Sequence, residues 1–156
     1  MPTLKAFGVP EGQKKHYEEA VYCVTLINNI ITKNISPQLA PHKLTHGKFN
    51  VLMAIKHLGR KEGIKQVEIS KNLILTPSNI TKLVDKLEKE KLVIRSAPPG
   101  DRRINLVTIT NEGSKTADLA AASTVNGFKR MTNKLGQEKL VKLSGLLMEW
   151  FNVLQK

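Results

Sequence analysis

Two short amphipathic segments meet at Leu75-Thr76-Pro77-Ser78, and this junction constrains the chain more than any other stretch. Thr76 is a good helix N-cap, because its side-chain oxygen accepts a backbone N–H that the helix cannot satisfy. Pro77 then takes the first helical position, where its missing N–H costs nothing. Upstream, Lys65 to Leu73 has the spacing of a short helix with Ile69 and Leu73 inward. Downstream, Pro77 to about Lys89 places Ile80, Leu83, Val84 and Leu87 on one face. Leu92–Ala97 reads as a strand, Pro98-Pro99-Gly100-Asp101 as a turn and Arg103–Ile109 as a returning strand. The pattern is a helix-turn-helix followed directly by a β-hairpin.

Helical patterns flank this unit. From about Gln13 to Asn34, Tyr17, Ala20, Val21, Val24, Ile27 and Ile31 form one stripe, with Tyr22, Cys23, Leu26 and Ile30 beside it. That sector is wider than one packing contact requires, so the helix is expected to pack on its own domain and on another chain. Ser36-Pro37 and Pro41 are expected to end it, since proline disfavours the helical conformation in the residue before it. A second helix follows Thr45 and runs to Gly59, and Gly59–Gly63 reads as a charged loop. After the hairpin, Thr110 caps a helix to about Lys134. The last helix carries Leu140, Leu143, Leu147, Trp150 and Leu154 at spacings of a helix–helix seam or of an ordinary core face. Residues 1–12, with Pro2, Gly8, Pro10 and Gly12, read as a flexible arm. The expected fold is mainly α with a small β-hairpin. It is one domain, with helices at 13–34 and 111–156 on either side of a winged helix-turn-helix lobe at about 45–110.

Composition narrows the function. The 156 residues carry a net charge of +12, which suits a polyanionic partner because Lys and Arg displace counterions from phosphates. Eleven basic and six acidic residues fall in 60–103, too mild an excess to place a site by charge alone. Aromatics make up only 4%, which argues against single-strand or RNA binding by base stacking. One cysteine excludes an intrachain disulfide and favours a reducing compartment. No apolar run approaches the roughly 20 residues of a membrane span, and Lys5, Pro10, Glu11, Lys14 and Lys15 interrupt any signal-like core. A cytoplasmic protein without a membrane partner is expected.

The second helix of the helix-turn-helix is the one that enters a major groove, and its outward face offers Ser78, Asn79, Thr81, Lys82 and Lys86. Asn can bond adenine bidentately, Ser and Thr are versatile, and Lys suits guanine or phosphate. The hairpin adds Arg95, Arg102 and Arg103, a basic set suited to the negative potential of a narrow minor groove. Asp101 fits there as a carboxylate that aims an arginine by a fork-like pair, or simply as a turn former.

From Ile69 through Gly113 the chain resembles the MarR (multiple antibiotic resistance regulator) family. The resemblance is carried by Leu87-Glu88-Lys89-Glu90-Lys91-Leu92-Val93-Ile94-Arg95, Asp101-Arg102-Arg103 and Ile109-Thr110-Asn111-Glu112-Gly113. The wing signature is Asp-x-Arg, a short strand ending in Leu-Thr, and a Gly three residues after that Thr; Ile109 replaces the Leu. The order of helices extends the resemblance to about residues 13–155. It implies an intertwined homodimer whose first and last two helices pair the subunits and whose two lobes read a pseudo-palindromic double-stranded DNA operator. Repression relieved by a small phenolic or other aromatic ligand is the usual mode. Such a ligand often binds between the dimer helices and the lobe; nothing in the sequence fixes that cleft, and Tyr17, Tyr22, His16 and Trp150 could line it but read more readily as core or surface. The family commonly has Gly where this chain has Lys91, so a left-handed residue there is expected to cost on the order of 1 kcal/mol.

Some relatives sense oxidants through a cysteine on the first helix, where Cys23 lies. Its apolar sequence neighbours point instead to a buried, inert thiol. His42 and His46 flank a helix start without an adjacent carboxylate, so no metal site is assigned, and no cofactor is expected. The chain has no Gly-rich phosphate loop and no Gly-x-Ser-x-Gly elbow, which argues against an enzyme. The other readings left open are an oxidant-sensing regulator acting through Cys23 and a winged-helix protein–protein adaptor. An apolar recognition face would favour the adaptor.

Overall fold

The computed structural model describes Gly8 and residues 15–59, 62–97 and 106–155. The expected arm, apart from Gly8, and the wing residues Asp101, Arg102 and Arg103 lie outside the described residues. Within them the chain order is α1 (His16–Leu39), α2 (His46–Leu58), β1 (Ile64–Lys65), α3 (Gln66–Leu73), α4 (Pro77–Lys89), β2 (Val93–Ser96), β3 (Leu106–Ile109), α5 (Asn111–Thr132) and α6 (Gln137–Leu154). This is a winged helix-turn-helix with helices on either side. None of these helices is long and apolar enough to cross a membrane.

The lobe is built around α2, α3, α4 and the sheet. Leu52, Ile55, Ile69, Ile80, Val84, Leu87, Val93 and Val107 are essentially inaccessible to solvent and form one core with Ile35 and Leu39 of α1. Three side-chain caps fix helix starts as the sequence suggests. Thr45 accepts from the Lys48 N–H, Thr76 from Asn79 and Thr110 from Gly113. Lys48 is buried, and its ammonium donates to both Glu90 carboxylate oxygens at 2.8 Å, tying α2 to the end of α4.

Two features depart from the sequence reading. The first helix does not stop before Ser36-Pro37: α1 continues through Pro37 to Leu39. An interior proline costs roughly 3 kcal/mol. The last turn, however, carries Ile35 and Leu39, the helix's two buried residues, and each such side chain contributes about 1.5–3 kcal/mol when removed from water. Core burial therefore outweighs the local penalty. The second departure is β1, which falls in the stretch expected to be a loop and the start of a helix. It pairs antiparallel with β3 (Ile64↔Val107), giving the sheet order β1-β3-β2. Two residues leave no periodicity to read.

The flanking helices are packed unevenly. Helices α1 and α5 lie against each other, and so closely at Gly127 that an added Cβ would meet the Gln38 amide at 2.5 Å. No residue of α6 is buried. It faces α1 across an apolar cavity of about 520 Å³ walled by Val24, Ile27, Leu143, Leu147 and Trp150.

Candidate nucleic-acid interface

Helix α4 begins at the Thr76 cap and ends in a Schellman turn, with Leu92 N–H donating to Leu87 C=O and Lys91 N–H to Glu88 C=O, each at 2.9 Å. Lys91 takes the left-handed conformation (φ 60°), as its place in this turn requires. Ile74, at the end of α3, also has positive φ (52°), a costlier choice because Ile is β-branched. Both helices of the helix-turn-helix unit thus end on a left-handed residue that the local sequence resists.

The polar side of α4 splits into two stripes. Ser78, Lys82 and Lys86, at successive four-residue steps, stand exposed with Asn79 beside them. This stripe is polar and positive, and Lys86, in the last turn, suits the helix dipole. Thr81, Asp85 and Glu88 form the other stripe, which faces β2. Thr81 is already engaged: its hydroxyl donates to Pro77 C=O at 3.0 Å and accepts from Gln66 Nε2 of α3 at 2.6 Å.

Arg95, on β2, lies against the second stripe. Its Nη2 is 2.5 Å from Asp85 Oδ1 and donates to Thr81 C=O at 3.3 Å, while Nη1 donates to Glu88 Oε2 at 3.1 Å. Its backbone N–H donates to Glu88 Oε1, also at 3.1 Å. The structure thus gathers Ser78, Asn79, Lys82 and Lys86 on one exposed stripe, engages Thr81 with Gln66 at the surface, and places the half-buried Arg95 in a network with Asp85 and Glu88. Asp85, Glu88 and Gln66 were missed from sequence. Their signal was a Thr-Asp-Glu stripe at four- and three-residue steps, followed seven residues after the Glu by an arginine on a strand.

The base of the wing explains the Thr-x-x-Gly spacing. Thr110 Oγ1 donates to the Lys91 and Leu92 carbonyls at 2.9 and 3.1 Å while accepting the Gly113 N–H at 2.9 Å. A Cβ at position 113 would lie 2.0 Å from the Leu92 carbonyl oxygen. Only glycine lets α5 begin this close to the turn leaving α4.

The MarR family model matches residues 44–104. The transcriptional regulator HosA of Escherichia coli O111:H- is 32% identical over 108 residues, 69% of this chain and 72% of HosA. The chain belongs to the MarR family. Within it, the HTH-type transcriptional regulator MhqR of Bacillus subtilis (strain 168) is 35% identical over 83 residues, and the match spans 53% of this chain and little more than half (55%) of MhqR. The transcriptional repressor CouR of Rhodococcus jostii RHA1, solved bound to a 23-mer DNA duplex, is 25% identical with a TM-score of 0.75, covering 90% of this chain and 98% of that one.

Two other expectations of the MarR reading meet the structure here. A cavity of about 550 Å³ does lie between the lobe and α5, but its walls are Phe49, Met53, Leu73, Val125 and Phe128, with Asn50, His57 and Asn72 as polar groups. Tyr17, Tyr22, His16 and Trp150 do not line it. Trp150 belongs to the α1–α6 cavity, and His16 pairs with Glu19 at 3.2 Å. Cys23 is exposed rather than buried, on the wall of the α1–α6 cavity. The apolar run around it in sequence belongs to a helix face that the single chain leaves uncovered. His42 and His46 bond to Ser123 and Thr32 at 3.0 and 3.4 Å.

Proposed function

We propose that this protein is a sequence-specific double-stranded DNA-binding transcription regulator, a cytoplasmic homodimer that represses from a pseudo-palindromic operator and releases it on binding a small aromatic ligand. The observation that carries the reading is the exposed stripe of Ser78, Asn79, Lys82 and Lys86 on a helix braced by α3 and flanked by the wing. That stripe is polar and basic, which suits a phosphate-lined groove and not the apolar docking face of an adaptor. The DNA complex of CouR supports the same assignment. The reading involves no catalytic step. In it, the N-terminal helix and residues 111–156 join two subunits through the apolar faces of α1, α5 and α6, and the lobe at about 45–110 binds DNA. Arg102 and Arg103 serve the minor groove, with Asp101 aiming Arg103. The cavity beside Phe49 and Phe128 takes a flat apolar ligand with few polar groups.

Selection of bound sequences from a random duplex pool, with and without a panel of small phenolic acids, tests this. It should recover inverted repeats with half-sites about 10 bp apart. Enriched sites without inverted symmetry sink the dimeric reading, and no enrichment at all sinks DNA reading altogether. On the selected site, Asn79→Ala should relax base preference within each half-site by about 1–3 kcal/mol. Arg103→Ala should weaken binding to all sites and lower the salt slope by about one per subunit. Asp101→Ala should also weaken binding, although it removes a negative charge. Tighter binding would make Asp101 a turn former only.

A further inference from the structure

We propose that Arg95, held by Asp85 and Glu88, is a latch that fixes the wing strand to the recognition helix, and so a positioning residue for DNA binding and not a phosphate contact. The inference rests on the DNA-binding reading above.

The arrangement of donors and acceptors supports it. Nη1 faces Glu88, and Nη2 faces both Asp85 and the Thr81 carbonyl. Swinging Arg95 out to a phosphate would leave two carboxylates uncompensated on the helix that approaches DNA, where like charge repels the ligand. The main chain adds a second attachment. In the order β1-β3-β2, β2 is an edge strand, and the Glu88 carboxylate accepts its outward Arg95 N–H. One carboxylate therefore grips both the backbone and the side chain of the same residue, which sets the strand's position and rotation against α4. Ser96 ends β2, and the chain then passes to the segment holding Asp101, Arg102 and Arg103. The latch fixes the described end of β2, Arg95 and Ser96, against α4. Thr81, bonded to Gln66, extends the same network to α3.

The test compares wild type, Glu88→Gln, the double variant Asp85→Asn/Glu88→Gln, Arg95→Lys and Arg95→Ala on the duplex recovered by pool selection. The double variant removes two negative charges per subunit, so simple electrostatics predicts tighter binding. The latch predicts weaker binding, on the order of tenfold, because fewer molecules hold the wing in place. Arg95→Ala should weaken binding with an unchanged salt slope. Arg95→Lys should not rescue it, since an ammonium cannot span both carboxylates as a fork. In the DNA-free protein, Glu88→Gln should speed hydrogen exchange at the Arg95 amide. Equal or tighter binding by the double variant overturns the latch, as does a salt slope lowered by about one per subunit in Arg95→Ala, or an Arg95 amide that exchanges no faster in Glu88→Gln. Failure of wild type to retain any duplex would instead sink the DNA-binding reading, while amide exchange still decides the latch.

Discussion

The lobe and the flanking helices use apolar residues in opposite ways. In the lobe, α2, α3, α4 and the sheet turn Leu52, Ile69, Ile80 and Val107 into a common core, and the exposed surface of α4 is left polar. In α1 and α6 the pattern is reversed: Val24, Ile27, Leu143 and Leu147 remain 38–49% exposed around a cavity, although the sequence there is as apolar as a core. In the proposed dimer, a helix face of that kind is half of an interface. The lobe closes its core within the single chain, drawing on Ile35 and Leu39 of α1 and Ala117 and Ala120 of α5, whereas the faces of α1 and α6 around the cavity are left uncovered by it.

The sharpest way to break this contrast is Leu143→Asp/Leu147→Asp. It should leave the lobe folded and convert dimer to monomer by light scattering. Operator affinity should fall by roughly 10²–10⁴, because two lobes no longer bind as one ligand. A dimer that survives would place the interface elsewhere. Leu52→Ala probes the other side and should cost about 2–5 kcal/mol in urea unfolding. The distinguishing readout is concentration: the lobe's local core loss should be the same at every protein concentration, whereas the loss from Leu147→Ala should shrink toward zero as the protein is diluted and the dimer dissociates. Gly113→Ala tests the joint between the regions. Its Cβ would meet the Leu92 carbonyl oxygen, and a loss of about 1–3 kcal/mol in thermal or urea unfolding is expected. The smallest effect belongs to Lys91→Gly, which relieves the left-handed lysine and should stabilise the lobe by up to about 1 kcal/mol. A destabilised Lys91→Gly variant would mean that the lysine side chain contributes more than its backbone costs.

Legibility followed the same division. The lobe's turn chemistry could be read almost residue by residue. Thr45, Thr76 and Thr110 cap the helices they were expected to cap, because a hydroxyl three residues before a free N–H acts over a few ångströms of contiguous chain. The core face of α4 was equally plain, since a helix presents Ile80, Leu83, Val84 and Leu87 on one side whatever it packs against. Cys23 shows the limit. Apolar neighbours in sequence suggested burial, but whether an apolar face is covered depends on the other surface, and α6 alone covers it incompletely.

By itself, then, the sequence determined the helix starts, the helix-turn-helix with its wing strands, the polar stripe of the recognition helix and the family. Each of these depends on interactions between residues close along the chain or on a fixed helical period. Only the tertiary structure decided that α1 runs through Pro37, because the compensating burial of Ile35 and Leu39 comes from other elements. The tertiary structure alone also created β1, whose two residues become a strand only by pairing with Val107 and Leu106. It engaged Arg95 and Thr81 for the same reason: their partners, Asp85, Glu88 and Gln66, sit on neighbouring elements, and a side chain's direction is settled by the charge or hydrogen bond it meets in space.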